Sequence, residues 1–327
     1  MAILNVALIG CGKIGYSFIN SGSGVGVYTH AEAYARADGL QLVAVVDPDI
    51  QRAHECAKRY GVDASRVYGS TEDFFRNETV DIISIASPDA THVSLVRQAL
   101  AMKSVKGIFL EKPLALTLED AQGVLAEVRR SNIPVLVNYS RRYCSEHRKL
   151  ASLIRSGTLG EVQTVNGFYT KGLMHNGTHW LDLFDWFFGE IKMAVGWESA
   201  SIDFQGDPTL NVHLRSRAVS AMLHGCDARY FSVFEMDVVT DKGRVQIVDG
   251  GGKIVVSRVF PSAIYHGYTE LKLVEEWSHE NMKDLLLRAV EDLRDSILES
   301  RQPVSNAENA FRALRAANTA MREVVSW

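Results

Sequence analysis

The apolar run Val6-Ala7-Leu8-Ile9, followed at once by Gly10-Cys11-Gly12-Lys13-Ile14-Gly15, leaves few folds open to this chain. Four consecutive apolar residues closed by glycine are too short for a core helix and read as a strand buried on both faces, as in a parallel sheet. The glycines fit G-x-G-x-x-G, and each meets a separate physical need. Gly10 permits the tight turn, Gly12 lets backbone approach a pyrophosphate, and Gly15 lets the following helix pack on the strand. The amides and partial positive charge of that helix's N-terminus suit phosphate, and Lys13 and Ile14 stand in the same loop.

Three glycines alone are a weak signal, and their context strengthens it. A second run, Leu42-Val43-Ala44-Val45-Val46, ends in Asp47, where a strand would deliver a carboxylate to an adenosine ribose. That acid ordinarily lies about 20 residues past the last glycine. Here Ser21-Gly22-Ser23-Gly24-Val25-Gly26 lengthens the connection and reads as a loop inserted after, or breaking, the first helix.

Helices are expected at His30 to Ala37 and at Ile50 to Tyr60, the latter stopped by Gly61. Val80 to Ala86 is the next strand, ending at Ser87-Pro88, with a helix from Thr91 to Met102 behind it. Gly107 to Leu110 follows and ends at Glu111-Lys112-Pro113. Ligands of open α/β sheets sit beyond the carboxyl ends of strands, so Asp47, Pro88 and Lys112 should share one edge with Gly10 and Gly12. Thr117 caps a helix running to Arg130, and Pro134 to Val137 is a further strand.

Beyond this point the texture changes to strand-like runs: Glu161 to Tyr169, Met193 to Asp203, Leu210 to Leu214, Ser220 to His224, Tyr230 to Thr240, Arg244 to Asp249, Lys253 to Phe260 and Glu270 to Trp277. Two amphipathic helices, Lys283 to Ser300 and Asn306 to Val324, close the chain. The fold class is α/β: an N-terminal Rossmann doubly wound parallel sheet over residues 1–120, then an α/β domain over 121–327 with a large, mainly antiparallel open sheet. Residues 133–140 and the C-terminal helix are free to pack with the first domain.

A chain of 327 residues accommodates two domains, and 46% hydrophobic with 23% charged residues belongs to the soluble globular class. A net charge of −4 gives no electrostatic case for nucleic acid or an anionic membrane. Cys11, Cys56, Cys144 and Cys226 form no C-x-x-C pair, which suggests buried thiols of a reducing compartment rather than zinc ligands or disulfides. No apolar run reaches the roughly 18 residues of a spanning helix, and Met1 to Gly10 lacks a basic leader, so the expected location is the cytoplasm.

Taking a hydride from a carbinol carbon requires a base within hydrogen-bond reach of the hydroxyl. Lys112, at a strand end beside Pro113, is a credible partner for that oxygen, although a lone lysine there is ordinarily a solvated charge. His179 and Asp182 are three apart at the start of an apolar helix and share a face, so Asp182 could orient the imidazole or merely cap the helix with it. His175 and His179 have a spacing that suits a metal, yet no H-E-x-x-H exists and Gly177 interrupts the turn, so no metal is expected. One of Arg141 and Arg142 could clamp an anion while the other is solvated. His92 reads better as a structural residue at the cofactor edge than as a proton carrier, and Tyr169, Lys171 and His266 are further pocket candidates.

With Glu111-Lys112-Pro113 after a strand, Ser87-Pro88-Asp89-Ala90-Thr91-His92, Val137-Asn138-Tyr139-Ser140-Arg141-Arg142-Tyr143 and Gly177-Thr178-His179-Trp180-Leu181-Asp182, nearly the whole chain resembles the Gfo/Idh/MocA family of NAD(P)-dependent oxidoreductases. The resemblance implies Lys112 and His179 as catalytic residues, with His175, Asn176, Asp182, Arg142 and Tyr169 meeting substrate. It implies Gly10, Gly12, Lys13, Ile14, Asp47, Ser87, Pro88, His92, Glu111 and Lys112 around the cofactor. The expected activity is hydride transfer between nicotinamide and a hydroxyl or keto carbon of a sugar, cyclitol or sugar derivative. The alternative is a non-catalytic nucleotide-binding regulatory protein. NAD is expected over NADP because Asp47 would repel a 2′-phosphate and no arginine follows it directly, Arg52 being the nearest. A homodimer or homotetramer through the open sheet is also implied.

Two positions depart from the family pattern. His175 stands where many members have aspartate, and Asn138-Tyr139-Ser140 stands where many have Gly-Phe-Asn. The loss of a carboxylate at 175 points to an anionic substrate, a nucleotide-linked sugar among the options.

Overall fold

The computed structural model describes residues 3–18, 26–204, 206–278 and 280–325. The chain forms two compact units, residues 1–143 with 283–311, and residues 144–282 with 312–327.

The first unit is built on six parallel strands: β1 (Leu4–Ile9), β2 (Leu40–Val46), β3 (Val67–Tyr68), β4 (Ile82–Ile85), β5 (Gly107–Leu110) and β6 (Val135–Val137). Their order, β3-β2-β1-β4-β5-β6, reverses direction between β1 and β4, which creates a crevice at the carboxyl ends of those two strands. Val6, Ala7 and Leu8 of β1 are fully buried, as a strand covered on both faces requires. The helices are α1 (His30–Arg36), α2 (Ile50–Tyr60), α3 (Thr71–Asn77), α4 (His92–Ala101) and α5 (Leu118–Ser131). Their ends follow local chemistry: Asp49 accepts from Arg52 N at the start of α2, left-handed Gly61 ends it, and Thr117 accepts from Asp120 N at the start of α5.

Two local expectations are modified. Among the described residues no long helix follows Gly15; Lys13–Ser17 makes one wide turn, with Ser17 N donating to Gly12 O over 3.0 Å. The Gly/Ser stretch 21–26 read as an inserted loop lies outside the described residues except for Gly26. The second modification is β3, which has only two residues and carries no apolar run from which to read it.

The second unit carries α6 (Ser145–Arg155), β7 (Val162–Tyr169), α7 (Thr178–Phe188), β8 (Met193–Phe204), β9 (Asp207–Arg215), β10 (Ser220–Gly225), β11 (Phe234–Thr240), β12 (Gly243–Val248), β13 (Lys253–Pro261) and β14 (Thr269–Ser278). With β15 (Val324–Val325) these strands form one nine-stranded sheet, ordered β14-β13-β12-β11-β7-β10-β9-β8-β15. Pairing is antiparallel except at β7–β10 and β8–β15. The strand expected from Tyr230 begins only at Phe234, and Tyr230 and Phe231 are 78% and 57% exposed. One core joins Leu150 of α6, Trp180, Phe184 and Phe187 of α7 and the inward positions Val165, Val212, Leu223, Met236 and Ile254 of the sheet.

Two helices follow β14: α8 (Leu285–Leu298), which belongs to the first unit, and α9 (Ala307–Arg322), which runs from the first unit's last residues into the second. In the first unit Ser305 Oγ donates to Val137 O over 2.6 Å, and Tyr143 Oη donates to Asp292 Oδ2 over 3.1 Å. In the second, Arg312 grips Asp185 of α7 with Nε 3.1 and 3.0 Å from its two carboxylate oxygens. Asp185 is 4% exposed, so removing its partner leaves a charge that water barely reaches. Because Arg312 is itself partly exposed, Arg312→Ala is expected at the lower end of such effects, about 3 kcal/mol, measured as a reduced urea midpoint at unchanged slope.

Candidate active site

At the crevice between β1 and β4 lies a cleft of about 950 Å³ in the first unit. Gly10, Gly12, Lys13 and Ile14 form one wall, Asp47 comes from the end of β2, and Ser87 and Pro88 come from the loop after β4. Gly10 has φ +97°, and a Cβ there would stand 2.6 Å from Ala86 O. A Cβ on Gly15 would stand 2.0 Å from Gly10 O. Side chains are therefore excluded at both positions by backbone packed against backbone. Gly12 differs: nothing lies within 4 Å of the site of its Cβ, so the loop faces open space there. Ile14, 41% exposed, leaves an apolar side chain on the cleft wall. A glycine-lined edge with the Asp47 carboxylate at its far end fits a dinucleotide.

Asp47 is 4% exposed and ties the edge together. Its Oδ2 accepts from Cys11 N over 2.7 Å, inside the glycine loop, and its Oδ1 accepts from Asp49 N over 2.8 Å. Each carboxylate oxygen keeps a lone pair for a further donor such as a ribose hydroxyl. Arg52 also lines the cleft, 3.7 Å from Asp47 Oδ1 and 3.0 Å from Asp49 Oδ2, so two carboxylates compensate its charge. Ser70, Thr71, Ser94 and Gln98 line the cleft as well, and no motif marks them in the sequence. The Cys11 thiol is held far above its ordinary range by its hydrogen bond to Cys56 and by burial, which keeps it inert beside the loop. Cys56 and Cys144 are buried too, whereas Cys226 is only half-buried.

Among the described residues, His92, Glu111 and Lys112 stand outside the cleft wall. Glu111 and Lys112 continue β5 at its carboxyl end, and the Lys112–Pro113 peptide is cis. His92 is fully buried, with Nδ1 2.7 Å from Pro113 O and Nε2 3.1 Å from Ser87 O; both partners are carbonyl acceptors, and a neutral imidazole donates to one of them at a time. Glu111 Oε1 lies 2.8 Å from His30 Nε2 and accepts from Asn138 Nδ2 over 2.7 Å. Burial alone would push the Glu111 carboxyl up. The hydrogen bonds from His30 and Asn138 and the charges of His30 and Lys112 outweigh it and leave the group below the usual carboxylate range. Arg142 is 2% exposed in the same unit, not a solvated charge.

In the second unit a wide turn, Gly172–Gly177, joins β7 to α7 and presents His175 and Asn176. Asp207 braces it, accepting from Met174 N over 3.0 Å and from His175 N over 2.7 Å. Thr209 accepts from Gly172 N over 3.0 Å, and Asn176 Nδ2 donates to Thr170 O over 3.0 Å. His175 is exposed and its ring lies 5.7 Å from that of Phe204. His179 and Asp182 both belong to α7, the first half-buried and the second 1% exposed. Tyr169 lies in the core instead of at an open surface: its hydroxyl donates to Leu210 O and accepts from Leu210 N, both over 2.9 Å. Among the described residues no group of three or more His, Cys, Asp or Glu is placed to hold a metal ion, and no helix is long and apolar enough to cross a membrane.

A model of the Gfo/Idh/MocA oxidoreductase family, with its NAD-binding Rossmann fold, matches residues 4–139. The inositol 2-dehydrogenase of Burkholderia lata is 32% identical over 205 residues, covering 59% of this chain and 56% of that protein. That of Rubrobacter xylanophilus is 35% identical over 150 residues, covering 45% and 42%. The chain thus spans about half the length of the curated relatives it matches. The crystal structure of an NAD-binding oxidoreductase from Klebsiella pneumoniae superposes with a TM-score of 0.81 at 18% identity, covering 98% of this chain and 97% of that one, which is a likeness of fold.

The two backbone donors held by Asp47 give a direct check of the cleft's architecture. Asp47→Ala leaves both Cys11 N and Asp49 N without their acceptor and is expected to cost about 1–3 kcal/mol, read from urea denaturation of the protein without ligand.

Proposed function

Because residues 4–139 match the model of the Gfo/Idh/MocA family of NAD-binding oxidoreductases, we propose that the chain belongs to that family and is a dehydrogenase moving a hydride between a nicotinamide dinucleotide and a CH–OH or keto carbon of a cyclitol or sugar. The observation that carries this reading is the cleft in which the glycine loop and Asp47 are hydrogen-bonded into one edge. In it the loop amides around Gly12 receive the diphosphate and Asp47 receives the ribose hydroxyls. The bound dinucleotide supplies the hydride acceptor or donor. On the protein's side, Lys112 meets the reacting oxygen of the substrate. For the second unit, His179 and Asp182, three apart on α7, keep the proton-transfer and substrate-binding roles that the family pattern implies for them.

NAD is the favoured cofactor on this reading. The Asp47 carboxylate opposes a 2′-phosphate, and Arg52, which could accommodate one, is already shared between Asp47 and Asp49. The names of the relatives favour a cyclitol such as inositol. An anionic or nucleotide-linked substrate rests on His175 alone. Asp207, bonded to the backbone of His175, returns a carboxylate to the same turn and so favours a neutral polyol.

The test is a titration of NADH and NADPH followed by turnover with NAD⁺ over a panel of myo-inositol, neutral sugars, sugar phosphates, uronic acids and nucleotide sugars. The expected result is tighter NADH binding and NADH formation with a neutral polyol, with Lys112→Met cutting turnover by roughly 10²- to 10⁴-fold at nearly unchanged NADH affinity. Tight NADH binding with no turnover across the panel would establish the regulatory alternative instead.

The oligomer reading draws on β14, an edge strand with Leu271 48% and Leu273 57% exposed, next to Phe260 of β13 at 39%. An apolar edge strand of this kind is covered by a second copy of the sheet. Sedimentation of the wild type as a dimer or tetramer and of Leu273→Glu as a smaller species is expected; a monomeric wild type would end this part of the proposal.

A further inference from the structure

His30 is fully buried, and both its ring nitrogens are engaged: Nδ1 lies 2.8 Å from Ser84 Oγ and Nε2 lies 2.8 Å from Glu111 Oε1. An ionised carboxylate can only accept, so Nε2 carries the proton on the Glu111 side. The Ser84 hydroxyl can donate or accept and adjusts to whatever Nδ1 requires. Phe109 meets the imidazole edge-on, with centroids 4.7 Å apart, and limits its rotation. Four segments converge here: His30 opens α1, Ser84 lies within β4, Glu111 follows β5, and Asn138 follows β6.

We propose that His30 is a positioning residue for Lys112, acting by fixing the carboxylate of the residue that precedes it. Packing alone would need neither hydrogen bond, since an apolar ring could fill the same space. Instead, His30 and Asn138 place two N–H groups on a single oxygen of Glu111, which leaves that side chain one orientation. On the far side of Lys112, the buried ring of His92 has Nδ1 2.7 Å from Pro113 O. The lysine therefore extends from a segment anchored by buried imidazoles before and after it. Its charge is close enough to Glu111 to stabilise the carboxylate, so an immobile Glu111 gives the ammonium a fixed electrostatic partner.

This role rests on the reading of Lys112 as the residue that meets the substrate oxygen, and the test separates the two. The wild-type chain, His30→Leu, His30→Gln and Ser84→Ala are compared. Glutamine can still donate an amide N–H toward Glu111 but cannot carry a proton, whereas leucine fills space and donates nothing. His30→Leu is expected to lower kcat by about 10- to 100-fold with KM for NAD⁺ little changed. His30→Gln should recover most of that loss, and Ser84→Ala should fall between.

A second readout needs no substrate: acetylation of Lys112 by acetic anhydride, scored by peptide mass spectrometry against exposed Lys58. It should speed up severalfold in His30→Leu and stay near wild type in His30→Gln. Wild-type kcat and wild-type labelling in His30→Leu would overturn the proposal. So would His30→Gln as impaired as His30→Leu with labelling unchanged, an outcome that marks a proton carrier. If Leu does not fold, Gln and Ser84→Ala decide by the same two measures. A wild type without turnover on any substrate, but with Lys112 labelling that responds to His30→Leu, supports the positioning role and overturns the dehydrogenase reading.

Discussion

The carboxylate of Asp47 is the constraint on which the first unit's ligand edge depends. A glycine-rich loop has little of its own to hold it, because its residues lose much conformational entropy on folding and bury almost no side chain. Gly10 and Gly15 bring backbone against backbone, but their contacts are steric and leave the loop amides to be oriented by something else. The bond from Cys11 N to Asp47 Oδ2 supplies that orientation, and the second bond, from Asp49 N, anchors the carboxylate to the start of α2. The same side chain thus shapes the loop that would face phosphate and occupies the position that would face ribose. On the proposed reading, loop geometry and ribose recognition cannot be changed independently.

The second unit solves a similar problem with different parts. The wide turn before α7 has amides of its N-terminal end taken up from outside by Asp207 and Thr209 on β9. A carboxylate accepting two consecutive amides works as a cap does at a helix start. It ties the backbone at Met174 and His175 to a sheet strand, so the path of the turn there is set by the sheet as well as by the loop.

What could be read in the chain beforehand follows from how local the physics is. The glycine loop, the strand ending in Asp47, the Gly61 stop and the Thr117 cap each depend on residues a few positions apart, and all stand where pattern places them. The eightfold run of strands after residue 160 was legible from alternation, but not the parallel pairing of β7 with β10. His30 looked like no more than the first residue of a helix, since its partners Ser84 and Glu111 are 54 and 81 positions away. The Asp185–Arg312 pair spans 127 positions and the Asp207 brace 32, so neither leaves a local signature. Tyr169 shows the opposite failure: a tyrosine among pocket candidates whose hydroxyl is wholly occupied by one backbone residue, Leu210, in a strand 41 positions on.

The return of residues 283–311 to the first unit bears on how the protein is made. β6 hands its last carbonyl to Ser305, and Tyr143 has its hydroxyl on Asp292, so the unit that begins at the N-terminus lacks bonding partners until the chain has been extended through the whole of residues 144–282. At about 5–20 residues per second that interval is on the order of ten seconds on the ribosome. During it the parallel strands of the first sheet are waiting for α8 while the second unit's sheet emerges. A nascent chain of this arrangement is a natural client for chaperones that shield exposed sheet faces, and splitting the gene at residue 143 would not yield two self-sufficient products.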